Sequence, residues 1–373
     1  MVDLSLRMML YDRLRFVITV AGVGFAVALV LVQIGLFTGL LDNASVMIDN
    51  GDADLWITSR NTPNIDFAHP FPDSYVQRVR SVPGVARADN LIVWFLMLML
   101  PSGTEESVMV YATEAPMLWR IPAHVTAGDL EDLRRGNNVF LDESAVRRHG
   151  PFAVGDHREI AGKRMRIIGT TSGAKSFTTT PVSIVDFRRA QALTGFHGKT
   201  TYILVKLAPG ADAGAVRREI AARLPFNDVY TTAEWSARTR RYWVESTGLG
   251  LNMIVTVFLG CLVGALIVAQ TLYTSTMDHL REFGTVKAIG GSNATIYAIV
   301  AKQALVAALA GFVAGAGLCA AVRPLIEAAD LKVIIAPPVA AAAFAGAVLL
   351  CLASALLSFR KIASIDPALV FRT

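Results

Sequence analysis

Cysteine is nearly absent from this chain, with three in 373 residues, and Cys261, Cys319 and Cys351 all fall inside apolar runs. The long polar middle has none, so no disulfide can hold it, and cysteine usage leaves its compartment open. Charge is also thin. Asp, Glu, Lys and Arg make up 17% against 53% hydrophobic residues, a balance suited to a chain divided between lipid and water rather than to one soluble globule. The six histidines (His69, His124, His149, His157, His197 and His279) show no zinc-ligand spacing and none pairs with a cysteine, so no metal site is expected. No signature of a nucleophile with its base is present either. The net charge of +5 is accounted for by basic residues beside membrane spans, and nucleic acid is not expected as a partner.

What the chain does have is four apolar runs, at 16–41, 246–275, 294–322 and 339–359. Each, at ~20 residues or more, is long enough to cross the ~30 Å hydrocarbon core of a bilayer as a helix. Their spacing is lopsided: the polar segment 42–245 separates the first from the second, and only the short connections 276–293 and 323–338 follow. The expected fold class is therefore a membrane α-helical protein with four transmembrane helices and a large extracytoplasmic α+β domain between the first and second. Arg7, Arg13 and Arg15 precede the first run, and Asp42, Asp49, Asp52 and Asp54 follow it. By the positive-inside bias, this places the N-terminal segment 1–15 in the cytoplasm and the large domain outside. Arg360 and Lys361 stand where the same topology needs cytoplasmic charge, at the start of the tail 360–373. The first run is too long for a signal-peptide core and lacks a convincing small-residue cleavage site, so it is read as retained. No row of charges lines the spans, which argues against an ion channel or a proton-coupled carrier. Gly35 with Gly39, Gly260 with Gly264, and Gly311 with Gly315 have the i, i+4 spacing that lets helix backbones approach closely.

In the large domain, residues 53–57 alternate enough to start a strand, 73–82 have helical spacing ended by Pro83-Gly84, and 91–100 form an unbroken apolar run. That run is too short to span a membrane as a helix and reads as a buried strand, with a hairpin partner at 107–112. Residues 212–224 repeat the helical pattern, end at Pro225 and lead into Val229-Tyr230, so two strand-helix-strand units make one α+β subdomain. A small, mostly β subdomain at 139–193, with turn glycines Gly150, Gly155, Gly162 and Gly169, is expected as an insertion. Within it, Gly169-Thr170-Thr171-Ser172-Gly173-Ala174-Lys175-Ser176 comes close to a phosphate-binding loop. Ala174 stands where that motif needs glycine, and the stretch is extracytoplasmic, so it is read as a turn. With no other Walker-type segment, the chain is not expected to hydrolyse ATP itself.

The connection after the second run reads Met277-Asp278-His279-Leu280-Arg281-Glu282-Phe283-Gly284-Thr285-Val286-Lys287-Ala288-Ile289-Gly290-Gly291. Leu280, Phe283 and Lys287 fall at helical intervals, which predicts a short helix with an apolar stripe, flanking charges and a glycine stop. This stretch resembles the coupling helix of the MacB/FtsX-type permeases, the type VII ABC transporter superfamily. Arg13-Leu14-Arg15, Ala21-Gly22-Val23-Gly24, Gln33-Ile34-Gly35-Leu36-Phe37 and Asp52-Ala53-Asp54-Leu55-Trp56 are similar to the DevC branch of that superfamily. Asp366-Pro367-Ala368-Leu369-Val370-Phe371-Arg372 is similar to its C-terminal signature.

The resemblance implies a non-catalytic permease subunit of an ABC export complex in the bacterial inner membrane, multi-pass, with both termini cytoplasmic and the large domain in the periplasm. It implies a second copy of the chain, two copies of a separate ABC ATPase that holds the ATP and Mg, a membrane-fusion adaptor and an outer-membrane channel; the chain itself carries no cofactor. Leu280, Arg281, Glu282, Phe283, Gly284, Lys287, Ala288 and Gly290 are the residues it implies for ATPase coupling, and Asp366, Pro367, Phe371 and Arg372 for a cytoplasmic support. Work is expected outside the membrane, by mechanotransmission, on a glycolipid or another amphiphile. Two alternatives stay open: an FtsX-like regulator of a periplasmic cell-wall hydrolase, and a sensor or membrane-bound enzyme with a ligand-binding outer domain. The second lacks an output domain after the spans, and the outer domain is larger than the first needs.

Overall fold

The computed structural model describes residues 13–122, 124–174, 176–178, 180–329 and 331–363. They fall into two compact units: Leu40–Leu249, and the described parts of Met1–Gly39 and Gly250–Thr373. In chain order, the principal elements up to the end of the first half of the domain are α1 (Arg13–Asp49), β1 (Leu55–Ser59), α2 (Tyr75–Arg80), β2 (Val85–Met99), β3 (Glu105–Thr113) and β4 (Val125–Ala127). Then come β5 (Asn138–Asp142), β6 (His157–Ile160), β7 (Lys163–Thr171), β8 (Val182–Asp186), α3 (Phe187–Thr194), β9 (Tyr202–Leu207), α4 (Ala213–Arg223), β10 (Asn227–Thr231) and α5 (Thr232–Ser246). The chain continues with α6 (Leu249–Asp278), α7 (Leu280–Ala288), α8 (Asn293–Ala328) and α9 (Pro337–Ala363).

In the domain, four antiparallel strands lie in the order β10-β1-β9-β2. With α2 linking β1 to β2 and α4 linking β9 to β10, this is the ferredoxin-like arrangement of two split βαβ units. Strand alternation sends Leu55 and Ile57 to one face, where they pack with Val76 and Val79 of α2 and Val216 and Ile220 of α4. Trp56 points to the other face, into a core shared by Tyr202, Leu204, Trp235 of α5 and Met47 and Ile48 of α1. Helix α5 starts at a capping box: Thr231 Oγ1 accepts from the Glu234 backbone N–H at 3.2 Å, and Glu234 Oε2 accepts from that of Thr231 at 2.9 Å.

The sheet does not stop at β2. Antiparallel to β2 lies β3, then β8 parallel to β3, β5 antiparallel to β8 and β7 parallel to β5. The short β6 pairs with β7 and returns to the far end of β2 through Leu98↔Ile160 and Met99↔Glu159. Six strands thereby close a ring whose apolar cluster holds Leu98, Val108, Val110, Val139, Leu141, Met165 and Ile167. The segment 139–193, expected as a small β subdomain, supplies four of these strands, and β2 and β3 supply the rest. Because β2 is 15 residues long and belongs to both parts, the two lobes share one continuous sheet.

The other unit contains the helices long and apolar enough to cross a membrane, with candidate spans at Arg13–Asp49, Leu249–Thr271, Asn293–Ala328 and Pro337–Leu356. On α8, Ile296, Val300, Ala304, Ala307, Gly311, Gly315 and Cys319 are buried, a stripe at helical spacing. The paired glycines sit at its tightest places. A Cβ at Gly315 would lie 2.5 Å from the Gly24 carbonyl oxygen of α1, one at Gly264 2.6 Å from Ala26 Cβ, and one at Gly39 1.9 Å from the Lys332 carbonyl oxygen. Such approaches leave room for no side chain.

Candidate functional site

Helix α7 begins one residue after α6 ends, and its first turn closes with the Phe283 N–H on the His279 carbonyl at 3.1 Å. Phe283 is 2% exposed and belongs to the same buried cluster as Val23 and Val27 of α1, Val268 of α6, and Ile296 and Val300 of α8. Gly284 beside it is buried, while Glu282, Thr285 and Ile289 face outward, Ile289 with 82% of its surface exposed. The stop is a glycine cap. Gly291 N–H donates to the Val286 carbonyl at 2.8 Å, and Ile289 N–H to that of Thr285 at 3.1 Å, with Gly290 at φ +94°. That left-handed turn suits glycine, and a Cβ at Gly291 would meet the Val286 carbonyl oxygen at 2.6 Å. Ser292 then caps α8, its Oγ accepting from the Thr295 N–H at 3.3 Å.

Leu280, Arg281, Lys287 and Ala288 lie along α7 with Glu282, Phe283 and Gly284, and Gly290 in the turn after it. The structure therefore gathers the eight residues of the motif on one short helix and its cap. It assigns Phe283 to the bundle interior rather than to an outer face. Asp366, Pro367, Phe371 and Arg372 lie outside the described residues. Two features carried no sequence signal. Arg15 Nη1 of α1 pairs with Asp278 Oδ2 at the end of α6, and Ile289, outside the helical stripe, is the most exposed large apolar side chain among the described residues.

Elsewhere, the stretch resembling a phosphate loop is already occupied by the protein's own anion. Asp142 Oδ2 accepts from the Ala174 backbone N–H at 3.0 Å and from Thr171 Oγ1 at 3.2 Å, and a Cβ at Gly169 would strike Phe140. Within the membrane unit, a groove of about 330 Å³ between α1, α6 and α9 is lined by Val23, Val27, Val30, Cys261, Ala343 and Leu350 among other apolar residues. Its lining carries no charged side chain.

The whole chain was also compared with known proteins. The sequence profile of the MacB-like periplasmic core domain matches residues 16–223, and that of the FtsX-like permease C-terminal region matches 254–367. The chain belongs to the MacB/FtsX family of ABC transporter permeases. It is 25% identical over 372 residues, 98% of both chains, to an uncharacterized ABC transporter permease of Mycobacterium tuberculosis (strain ATCC 25618 / H37Rv). It is 24% identical over 260 residues to the macrolide export ATP-binding/permease protein MacB of Agrobacterium fabrum (strain C58 / ATCC 33970), covering 66% of this chain and 40% of that one. Among solved structures, the periplasmic region of MacB from Actinobacillus actinomycetemcomitans is similar at 12% identity and a TM-score of 0.40, covering 50% of this chain and 92% of that one. The extracellular domain of the transporter YknZ is similar at 13% identity and 0.37, covering 48% and 98%.

Proposed function

We propose that this chain is the permease subunit of an ABC export complex in a bacterial inner membrane, and that it carries force rather than solute. A separate ATPase, in two copies, grips α7 from the cytoplasm; closure of the ATPases on ATP displaces α7, and the bundle passes that displacement to the outer domain. The observation that supports this reading best is the two-sidedness of α7 and its cap: Phe283 is locked into the bundle, while Glu282, and Ile289 in the turn that follows, are presented outward. A side chain fixed in a close-packed core moves its neighbours when it moves. The largely apolar groove in the membrane unit favours transmission over a polar path through the middle. The apolar side chains of Leu251, Phe258 and Leu262, exposed on α6, suit lipid or a second copy of the chain.

Cargo and outer partners follow by analogy with the family: a glycolipid or another amphiphile, handed on by an adaptor and an outer-membrane channel. Charge reversal on α7 tests the coupling. Arg281→Glu with Lys287→Glu is expected to abolish co-purification of the cognate ATPase and the stimulation of its hydrolysis. Retention of both at wild-type levels refutes the assignment of α7. Recovery of an adaptor with the wild-type complex is expected, and recovery of a cell-wall hydrolase in its place would point to the regulator instead.

A further inference from the structure

We infer that Asp66 is a positioning residue for this transmission: its neutral carboxyl keeps the 61–68 segment closed on α5, and loss of that proton loosens the contact. The inference rests on the coupling role just proposed, since α5 ends at Ser246 and the second membrane helix begins at Leu249.

Asp66 is 3% exposed, and its Oδ2 has no hydrogen-bond partner. Asn64 Nδ2, two residues back in the same segment, is also buried and unpartnered, as are Trp56 Nε1, Trp235 Nε1 and Thr239 Oγ1 elsewhere in the domain. Tyr202 ties these residues together. Its hydroxyl donates to the carbonyls of Asn64 at 3.1 Å and Ile65 at 2.9 Å, and its ring lies 6.0 Å from that of Trp56 and 5.9 Å from that of Trp235. The segment in turn holds α5 at two further points. Arg238 Nε donates to the Thr62 carbonyl at 3.1 Å, and the Phe67 ring lies 5.9 Å from both Tyr242 and Trp243.

A carboxylate in such surroundings lacks solvation, so burial pushes Asp66 up to about 7 and favours the proton. The titratable groups facing it are Tyr111 on β3 and Tyr202 on β9, both raised by burial and neutral. From α5 comes Arg238, spent on the Thr62 carbonyl. The ionised form can be relieved only by a donor or by water. Asn64 Nδ2, in the same segment, is a buried donor without a partner. Turning that donor toward the carboxylate, or admitting water, requires the segment to move, and the segment is held on α5 by Arg238 and Phe67.

The test uses the full chain in lipid nanodiscs, titrated from pH 5 to 9. Tryptophan fluorescence is expected to show a step centred near pH 7 that Asp66→Asn removes, and infrared spectra of the wild type to lose a protonated-carboxyl band over the same interval. With the cognate ATPase bound, stimulated hydrolysis by the wild type is expected to fall across that interval relative to Asp66→Asn. A step that survives in Asp66→Asn overturns the inference, and so do identical hydrolysis profiles. If the variant does not fold, the wild-type infrared spectrum decides: absence of the band overturns the inference. Failure of the ATPase to associate with the wild type at any pH is a different result, and defeats the coupling role itself.

Discussion

Replacing Gly315 by alanine puts one methyl group where α8 meets α1. The added Cβ would stand 2.5 Å from the Gly24 carbonyl oxygen and 2.8 Å from Val27 Cβ, against an ordinary separation of about 3.5–4.0 Å. The two helices must part by roughly 1 Å, a gap that forfeits a quarter to a half of each affected contact along the seam. Overpacking of this kind costs about 1–3 kcal/mol, partly offset by the ~1 kcal/mol that alanine gains over glycine inside a helix. A net loss of up to about 2 kcal/mol is expected. The cysteines supply the assay. Cys319 and Cys351 are buried in the membrane unit, and the outer domain has no cysteine, so a thiol-reactive dye added during a thermal ramp reports unfolding of this unit alone. Gly317, two residues on, is the control, because a Cβ there meets nothing within 4 Å; Gly317→Ala is expected to hold or slightly raise the midpoint. Equal midpoints for the two variants would refute the close approach of α8 to α1.

Phe283→Ala is expected to destabilise the same unit by about 3–5 kcal/mol, as truncation of a buried aromatic does, measured with the same dye. A change confined to ATPase binding, with the midpoint unmoved, would place this ring on an outer face. Asp89 accepts from Trp119 Nε1 at 2.8 Å and pairs with Arg80 at 2.6 Å while only 7% exposed. Asp89→Ala strands the Trp119 indole N–H, while Arg80 keeps Glu114 and the Ala88 carbonyl, and is expected to cost the domain about 1–3 kcal/mol in urea unfolding followed by fluorescence. For pH, the folded Asp66 at about 7 against 3.8 means that the folded state holds a proton the unfolded state has lost. Stability should therefore fall as pH rises from about 4 to 7 and level off above, by roughly 4 kcal/mol at most, relative to Asp66→Asn; a wild-type curve parallel to that of the variant would contradict the burial of a neutral carboxyl.

The membrane spans were legible because apolar length is a one-dimensional property of the chain. So was the β2–β3 hairpin, whose register runs from Leu91↔Thr113 to Met99↔Glu105, since its strands are neighbours in sequence and Pro101-Ser102-Gly103 marks the turn. Closure of the six-stranded ring was not. It depends on the parallel β3–β8 and β5–β7 pairs and on two residues of β6 meeting the end of β2, pairings between distant segments that leave no local pattern. The end of α1 was obscured for a different reason. Asp42, Asn43, Ser45 and Asp49 end the apolar pattern but not the helix, because Arg240 of α5 meets Ser45 Oγ at 2.7 Å and Asp49 Oδ2 at 2.6 Å. On α7, periodicity reveals that a stripe exists and says nothing about what covers it. Phe283 could have faced a partner on sequence grounds, and only the packing assigns it to the bundle.

That assignment bears on what α7 can do in the proposed coupling. Had Phe283 pointed outward, a partner could bind α7 while the bundle stayed still, with the glycines after it acting as a loose hinge. With the ring inside, any push on Glu282 or Ile289 displaces a residue of the cluster that holds Val23 of α1, Val268 of α6 and Val300 of α8. The turn after α7 offers little slack, because Gly291 is hydrogen-bonded back to Val286 and Ser292 caps the next helix at once. On the other side, Asp278 is paired to Arg15 of α1. A surface ion pair contributes little stability, yet here it joins the two helices whose chains lead into the outer domain, α1 by its own continuation to Asp49 and α6 by way of α5. Under the proposed coupling, a displacement of α7 reaches one end of that domain's chain covalently, along α6 to α5, and the other across the Arg15–Asp278 pair and along α1.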